Sequence, residues 1–214
     1  MIRTHKTITI AKFAAMLLAC HCAAVYAGAA GSGNSIGYEF VGQVLNASPT
    51  QSLQYGYLSS VPDLITIATT DAPVSEANAL LTFYNDTTTQ QVINNGPIRV
   101  IDRTGTSTIF FNPSGGGDFT NPDSFRTGTP IQTCSLRHQV VIDTSTGYFT
   151  AAFEMTITSV RVFQANGLSY VLGRPGEVYH WSVYGKLTQQ GPPSAQIAGF
   201  ASGSRAAKIS ADIH

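Results

Sequence analysis

The stretch IQTCSLRHQVVIDTSTGYFTAAFEMTITSVRVF, Ile131 to Phe163, reads as one long β-hairpin. On the first arm Cys134, Leu136, His138, Val140 and Ile142 share a face, with Ser135, Arg137, Gln139 and Asp143 opposite. On the return, Phe149, Ala151, Phe153, Met155 and Ile157 oppose Thr150, Glu154, Thr156 and Thr158. Period-two alternation on both arms marks strands with one buried side. Between them, Asp143-Thr-Ser-Thr-Gly147 supplies turn residues and a glycine able to take positive φ. These arms exceed the usual strand of about five or six residues. Strands that long twist and coil, which favours closure over a flat sheet.

Further strands are expected on either side. Tyr38 to Leu45 places Tyr38, Phe40, Gly42 and Val44 on one face, and Ser52 to Ser59 does the same with Leu53, Tyr55 and Tyr57. Ala79 to Tyr84, Ile98 to Arg103, Thr106 to Phe111, Leu168 to Leu172 and Glu177 to Leu187 complete the set. This predicts an all-β fold: a single antiparallel β-barrel of about eight to ten strands, lipocalin- or dirigent-like in shape, with a β-sandwich as the alternative. The hairpin around Asp143-Thr-Ser-Thr-Gly147-Tyr-Phe149 resembles hairpins of secreted eight-stranded barrels of the dirigent or allene-oxide-cyclase type. That resemblance covers one hairpin and carries no catalytic signature. It implies a barrel and no activity, since one barrel supports many.

The barrel is expected over residues 38–188, after a signal peptide at 1–27 and a Gly/Ala/Ser-rich lead-in at 28–37. Arg3, His5 and Lys6 form a basic start, Phe13 to Ala24 is mostly apolar, and Val25-Tyr26-Ala27 fits cleavage after Ala27. The expected product is exported, secreted or periplasmic, with no transmembrane span after leader removal. A competing reading takes Leu17-Leu18-Ala19-Cys20 as a lipoprotein box anchored at Cys20. Residues 189–214 lose the pattern after Gly191-Pro192-Pro193 and read as a disordered tail, with a short helix near Arg205 to Ile209.

Composition narrows the partners. Only 11% of residues are charged against 43% hydrophobic, where about 25% charged is ordinary. Losing Arg3, Lys6 and Lys12 leaves nine basic residues against twelve acidic ones, a net −3. Such a surface offers no counterion release, so nucleic acid is not expected as a partner. Leader removal takes Cys20 and Cys22, leaving Cys134 alone on an apolar face as a small hydrophobe.

No Gly-x-Ser-x-Gly elbow, phosphate loop or His-Glu-x-x-His is present. Asp118 and Asp123 match no calcium-loop spacing, and neither metal nor cofactor is expected. His138 points inward between Leu136 and Val140. It reads as a core histidine or, more sharply, as a polar group on a pocket floor that orients a substrate or acts as general base. Arg161 shares the face of Phe153, Met155 and Ile157. There it is a snorkelling rim residue or a cation for a carboxylate ligand. The candidate ligand-binding set is His138, Arg161, Phe153, Tyr179 and Trp181, and no catalytic residue is assigned. Asn112 to Pro130, dense in Gly and Pro with Phe119 and Phe125, is expected to fold back over a barrel mouth. The leading expectation is a soluble barrel that binds a small, largely apolar ligand. An isomerase- or cyclase-type enzyme using His138 and an interaction protein with a filled core are the alternatives.

Overall fold

The computed structural model describes residues 36–62, 64–203 and 206–209. The expected leader, most of the lead-in and the last residues of the tail lie outside the described residues. The long hairpin forms as its alternation requires, from β5 (Thr129–Asp143) and β6 (Tyr148–Val160). Leu136 pairs with Met155 and His138 with Phe153, so the two apolar faces coincide. A bulge at Thr133/Cys134 resets the register near the start of β5. At the turn, the Asp143 carboxylate accepts from the Ser145 hydroxyl and amide. Those hydrogen bonds hold its pKa below the usual carboxylate value. Gly147, at φ +74°, completes the reversal.

Six more strands close this hairpin into a barrel: β1 (Ile36–Asn46), β2 (Gln51–Ser60), β3 (Leu81–Asn95), β4 (Ile98–Phe111), β9 (Val178–Leu187) and β10 (Ala195–Ser202). The order around the barrel is β1-β10-β9-β6-β5-β4-β3-β2, every neighbour antiparallel. The chain is an all-β closed eight-stranded antiparallel barrel. A small sheet stands beside it, with β8 (Leu168–Leu172) between β7 (Phe163–Ala165) and β11 (Ala206–Ile209). Short turns join the strands at one end, the hairpin end, and the longer connections 61–80, 112–128 and 161–177 gather at the other, the loop end. Among the described residues no helix is long and apolar enough to cross a membrane.

Five expectations are corrected here. The domain does not stop at 188, because β10, inside the segment read as tail, is the strand that closes the barrel between β9 and β1. Its inward residues Ala195, Ile197, Gly199 and Ala201 are small or widely spaced, so its apolar period is faint. The room is taken by the neighbouring strand, where a Cβ on Gly199 would come within 2.8 Å of the ring of Phe40, its register partner on β1. Residues 206–209 are likewise strand, not helix.

The β2 aromatics also turn the other way. Ser52, Gln54, Gly56 and Leu58 are the buried inward set, while Tyr55 and Tyr57 lie outside against Phe119, each at a ring-centroid distance of 6.3 Å. The 112–128 connection accounts for this, because it folds along the outer flank of β2 and β3 and does not cover a mouth. Within it a 3-10 turn, Pro122–Arg126, buries Phe125, whose carbonyl accepts from the Thr82 hydroxyl at 2.7 Å. Arg126 lies over the Tyr84 ring at 5.0 Å. Finally, Ile98 to Phe111 is one strand, not two meeting at Thr104-Gly105.

Candidate functional site

Inward side chains fill the loop-end half of the barrel. Phe40 and Trp181 pack at 4.2 Å, with Phe83 edge-on to Trp181 at 5.1 Å. Each such buried aromatic contributes roughly 1.5–3 kcal/mol by transfer alone. The polar atoms among them form a closed chain. Trp181 Nε1 donates to the Tyr38 hydroxyl at 2.8 Å, Tyr38 to Tyr179 at 3.1 Å, and Tyr179 to Gln132 Oε1 at 2.7 Å. Gln132 Nε2 ends the chain on the Leu172 carbonyl at 2.8 Å. Burial raises the pKa of both tyrosines well above normal, keeping them neutral donors. Cys134 lies beside them, its thiol pushed up to about 11 by burial, which makes it an unreactive hydrophobe.

The hairpin-end half is different, for it holds a partly enclosed cavity of about 60 Å³. Val140, Ile142, Phe149, Ala151, Leu187 and Ile197 give it mostly apolar walls. An engineered cavity of about 150 Å³ accepts benzene, so this smaller, partly open one is too small to enclose a ring and has room for only a short length of a slender chain.

One wall is polar, and strand register explains why. Arg103 on β4 lies directly opposite His138 on β5, and Arg103 Nη1 is 3.2 Å from His138 Nε2. A guanidinium can only donate, so Nε2 accepts and the imidazole proton resides on Nδ1. That Nδ1 has no protein partner, although His138 is only 4% exposed. Burial first, and the Arg103 charge second, lower the His138 pKa to about 3. Arg103 is half-buried, with Nε donating to the Thr89 hydroxyl at 3.2 Å. Burial lowers its pKa to about 10, so it stays a cation at neutral pH. No carboxylate answers it, since the one ion pair among the described residues joins Arg126 and Asp123 on the surface.

Two further polar residues line the cavity, Asn46, which is exposed, and Gln54, which is 3% exposed. For Gln54 the partners are incomplete. Its Nε2 donates to Ser52 Oγ at 2.9 Å and Thr87 Oγ1 at 3.2 Å, while Oε1 has no protein partner. In register beside it, Asn85 on β3 and Ser107 on β4 also have unpartnered side-chain atoms. Buried polar groups without partners each cost about 1–3 kcal/mol, so native proteins keep few of them.

The sequence-derived candidates divide between the two halves. His138 and Phe153 line the cavity, in ring contact at 4.3 Å. Trp181 sits behind Phe153 at 5.7 Å, under the cavity but not lining it. Tyr179 belongs to the hydrogen-bonded chain of the other half, and Arg161 is exposed beyond β6 at the loop end. Neither is near the cavity. Arg103 and Gln54 were missed: Arg103 lies in the polar stretch Asp102-Arg103-Thr104, and the alternation of Leu53, Tyr55 and Tyr57 set Gln54 on the opposite face. The only available signal was that Arg103, Gly105, Ser107 and Ile109 continue the inward alternation of β4. No family model, curated protein or solved structure matches the chain.

Proposed function

We propose that this protein binds a small, largely apolar molecule in the hairpin-end cavity of its barrel. The observation that carries the reading is an apolar cavity whose two most buried polar lining groups, Gln54 Oε1 and His138 Nδ1, have no protein partner. A core folded for stability alone fills such space or pairs such atoms, as the loop-end half does. The basic and apolar start at residues 3–24 supports a site of action outside the cytoplasm.

The enzyme alternative is less well supported. A general base at neutral pH needs a free lone pair and a pKa near 7. The Nε2 lone pair of His138 faces Arg103, and the ring pKa is about 3.

Native mass spectrometry of the protein purified from its own host, without detergent, tests the proposal. A mass excess that disappears on denaturation supports it, and identifies the guest. Trp181 is the one tryptophan, and it lies behind the cavity-lining Phe153. Titration with apolar candidates should therefore change its emission. Ala151→Phe, which places a ring in the cavity, should abolish the change. Absence of both signals across slender apolar compounds would return the barrel to the filled-core reading.

A further inference from the structure

The geometry points to a guest that carries a carboxylate on a slender apolar chain, with its head at Arg103 and its chain along Val140, Ile142, Phe149 and Leu187. This deepens the apolar-ligand reading and rests on it.

Charge decides the head. The cavity wall holds a guanidinium with no carboxylate partner. Of its five N–H groups, two are engaged by Thr89 and His138, leaving three. His138 adds an unpartnered N–H, buried to better than nine-tenths. Among the buried lining atoms Gln54 Oε1 is the one unpartnered acceptor, and the exposed Asn46 amide at the rim brings an acceptor and donors together, so donors outnumber acceptors around Arg103. An excess of donors around a cation selects an acceptor-rich anion. A neutral alcohol or amide would leave the charge unanswered, and an ammonium head would be repelled.

Size and shape decide the rest. A guanidinium edge matches the planar pair of carboxylate oxygens. A dianionic phosphate asks for more than one cation, and none but Arg103 lines the cavity. The imidazole is what holds the fork in place: its Nε2 fixes one arm at 3.2 Å while Thr89 fixes Nε. Arg103 therefore meets the head group already oriented, with little rotamer freedom to lose on binding.

Isothermal titration of the full-length protein with octanoate and with octan-1-ol tests this. The same titrations are run on Arg103→Gln and Ala151→Phe. A charge-assisted contact should make octanoate bind about tenfold tighter than octan-1-ol, or better. In Arg103→Gln that preference should vanish, the two affinities converging. Equal affinities in the unaltered protein, or a preference that survives Arg103→Gln, overturn the carboxylate inference. If octan-1-ol binding is then lost in Ala151→Phe, the apolar-ligand reading still stands. Should neither compound bind the unaltered protein, both readings fall together. The comparison of the two ligands on the unaltered protein decides the matter even if a variant does not fold.

Discussion

The two halves of one barrel interior treat polar groups in opposite ways. At the loop end, Trp181, Tyr38, Tyr179 and Gln132 pass a chain of hydrogen bonds to a backbone carbonyl, and every donor in it has an acceptor. Towards the hairpin end, Gln54, Asn85, Ser107 and His138 are as deeply buried, yet five of their side-chain atoms have no protein partner. Burial is equal on the two sides, so the contrast is one of satisfaction. A satisfied network stabilises and fixes a core, whereas an unsatisfied one lowers stability and is retained where something else partners it. The first half holds the barrel together, and the second is arranged for a guest.

The strongest challenge to this division removes the ring at the boundary. Trp181→Ala deletes a fully buried side chain that touches Phe40, Phe83 and Phe153 and donates to Tyr38. Urea unfolding should show a loss of about 3–5 kcal/mol. Tyr179→Phe is the next largest change, because it strips Gln132 Oε1 of a donor and Tyr38 of an acceptor. The expected loss is about 1–3 kcal/mol; a neutral result would mean that the closed chain is not structural.

An acid titration comes third. The folded His138 pKa of about 3 lies below its ordinary 6.5, so the unfolded chain takes up this proton first as pH falls. Its contribution is complete above about pH 6.5 and declines as pH drops towards 3. Between pH 7 and 5 the decline is on the order of 2 kcal/mol. Comparing unfolding of the unaltered protein and His138→Gln across that range should show a shallower slope in the variant. An identical slope would mean that the imidazole is solvated in the fold.

The smallest effect is the most diagnostic. Ser107→Ala removes a buried hydroxyl without a partner, so stability should be unchanged or rise by up to about 1 kcal/mol. A loss equal to that of Tyr179→Phe would erase the distinction between the halves.

Legibility in the sequence followed the same physics. β5 and β6 were readable because one face is buried and the other meets water, so alternation survives in Leu136, His138 and Val140 against Arg137 and Gln139. β2 misled because both of its faces are covered, and the more aromatic face, with Tyr55 and Tyr57, is the outer one against Phe119. β10 was silent because Gly199 and two alanines make way for rings on other strands. His138 could be picked out by its apolar neighbours. Arg103 could not, since a charged residue in a polar stretch carries no mark of facing inward, and only the cross-strand register with His138 places it there.

Closure by β10 also bears on how the chain reaches its fold. Val44 pairs with Ala195 and Phe40 with Gly199, joining segments from opposite ends of the domain. Contacts of such sequence separation form late and slow folding, placing barrels of this kind on a millisecond-to-second scale. Until then β1 and β9 are unpaired edges, and β9 carries the exposed Tyr184. A ribosome-bound chain whose β10 has not yet emerged is an open sheet, a template for intermolecular strand addition. Holding the nascent chain apart from its copies until its last barrel strand arrives is thus a demand that this topology places on the cell.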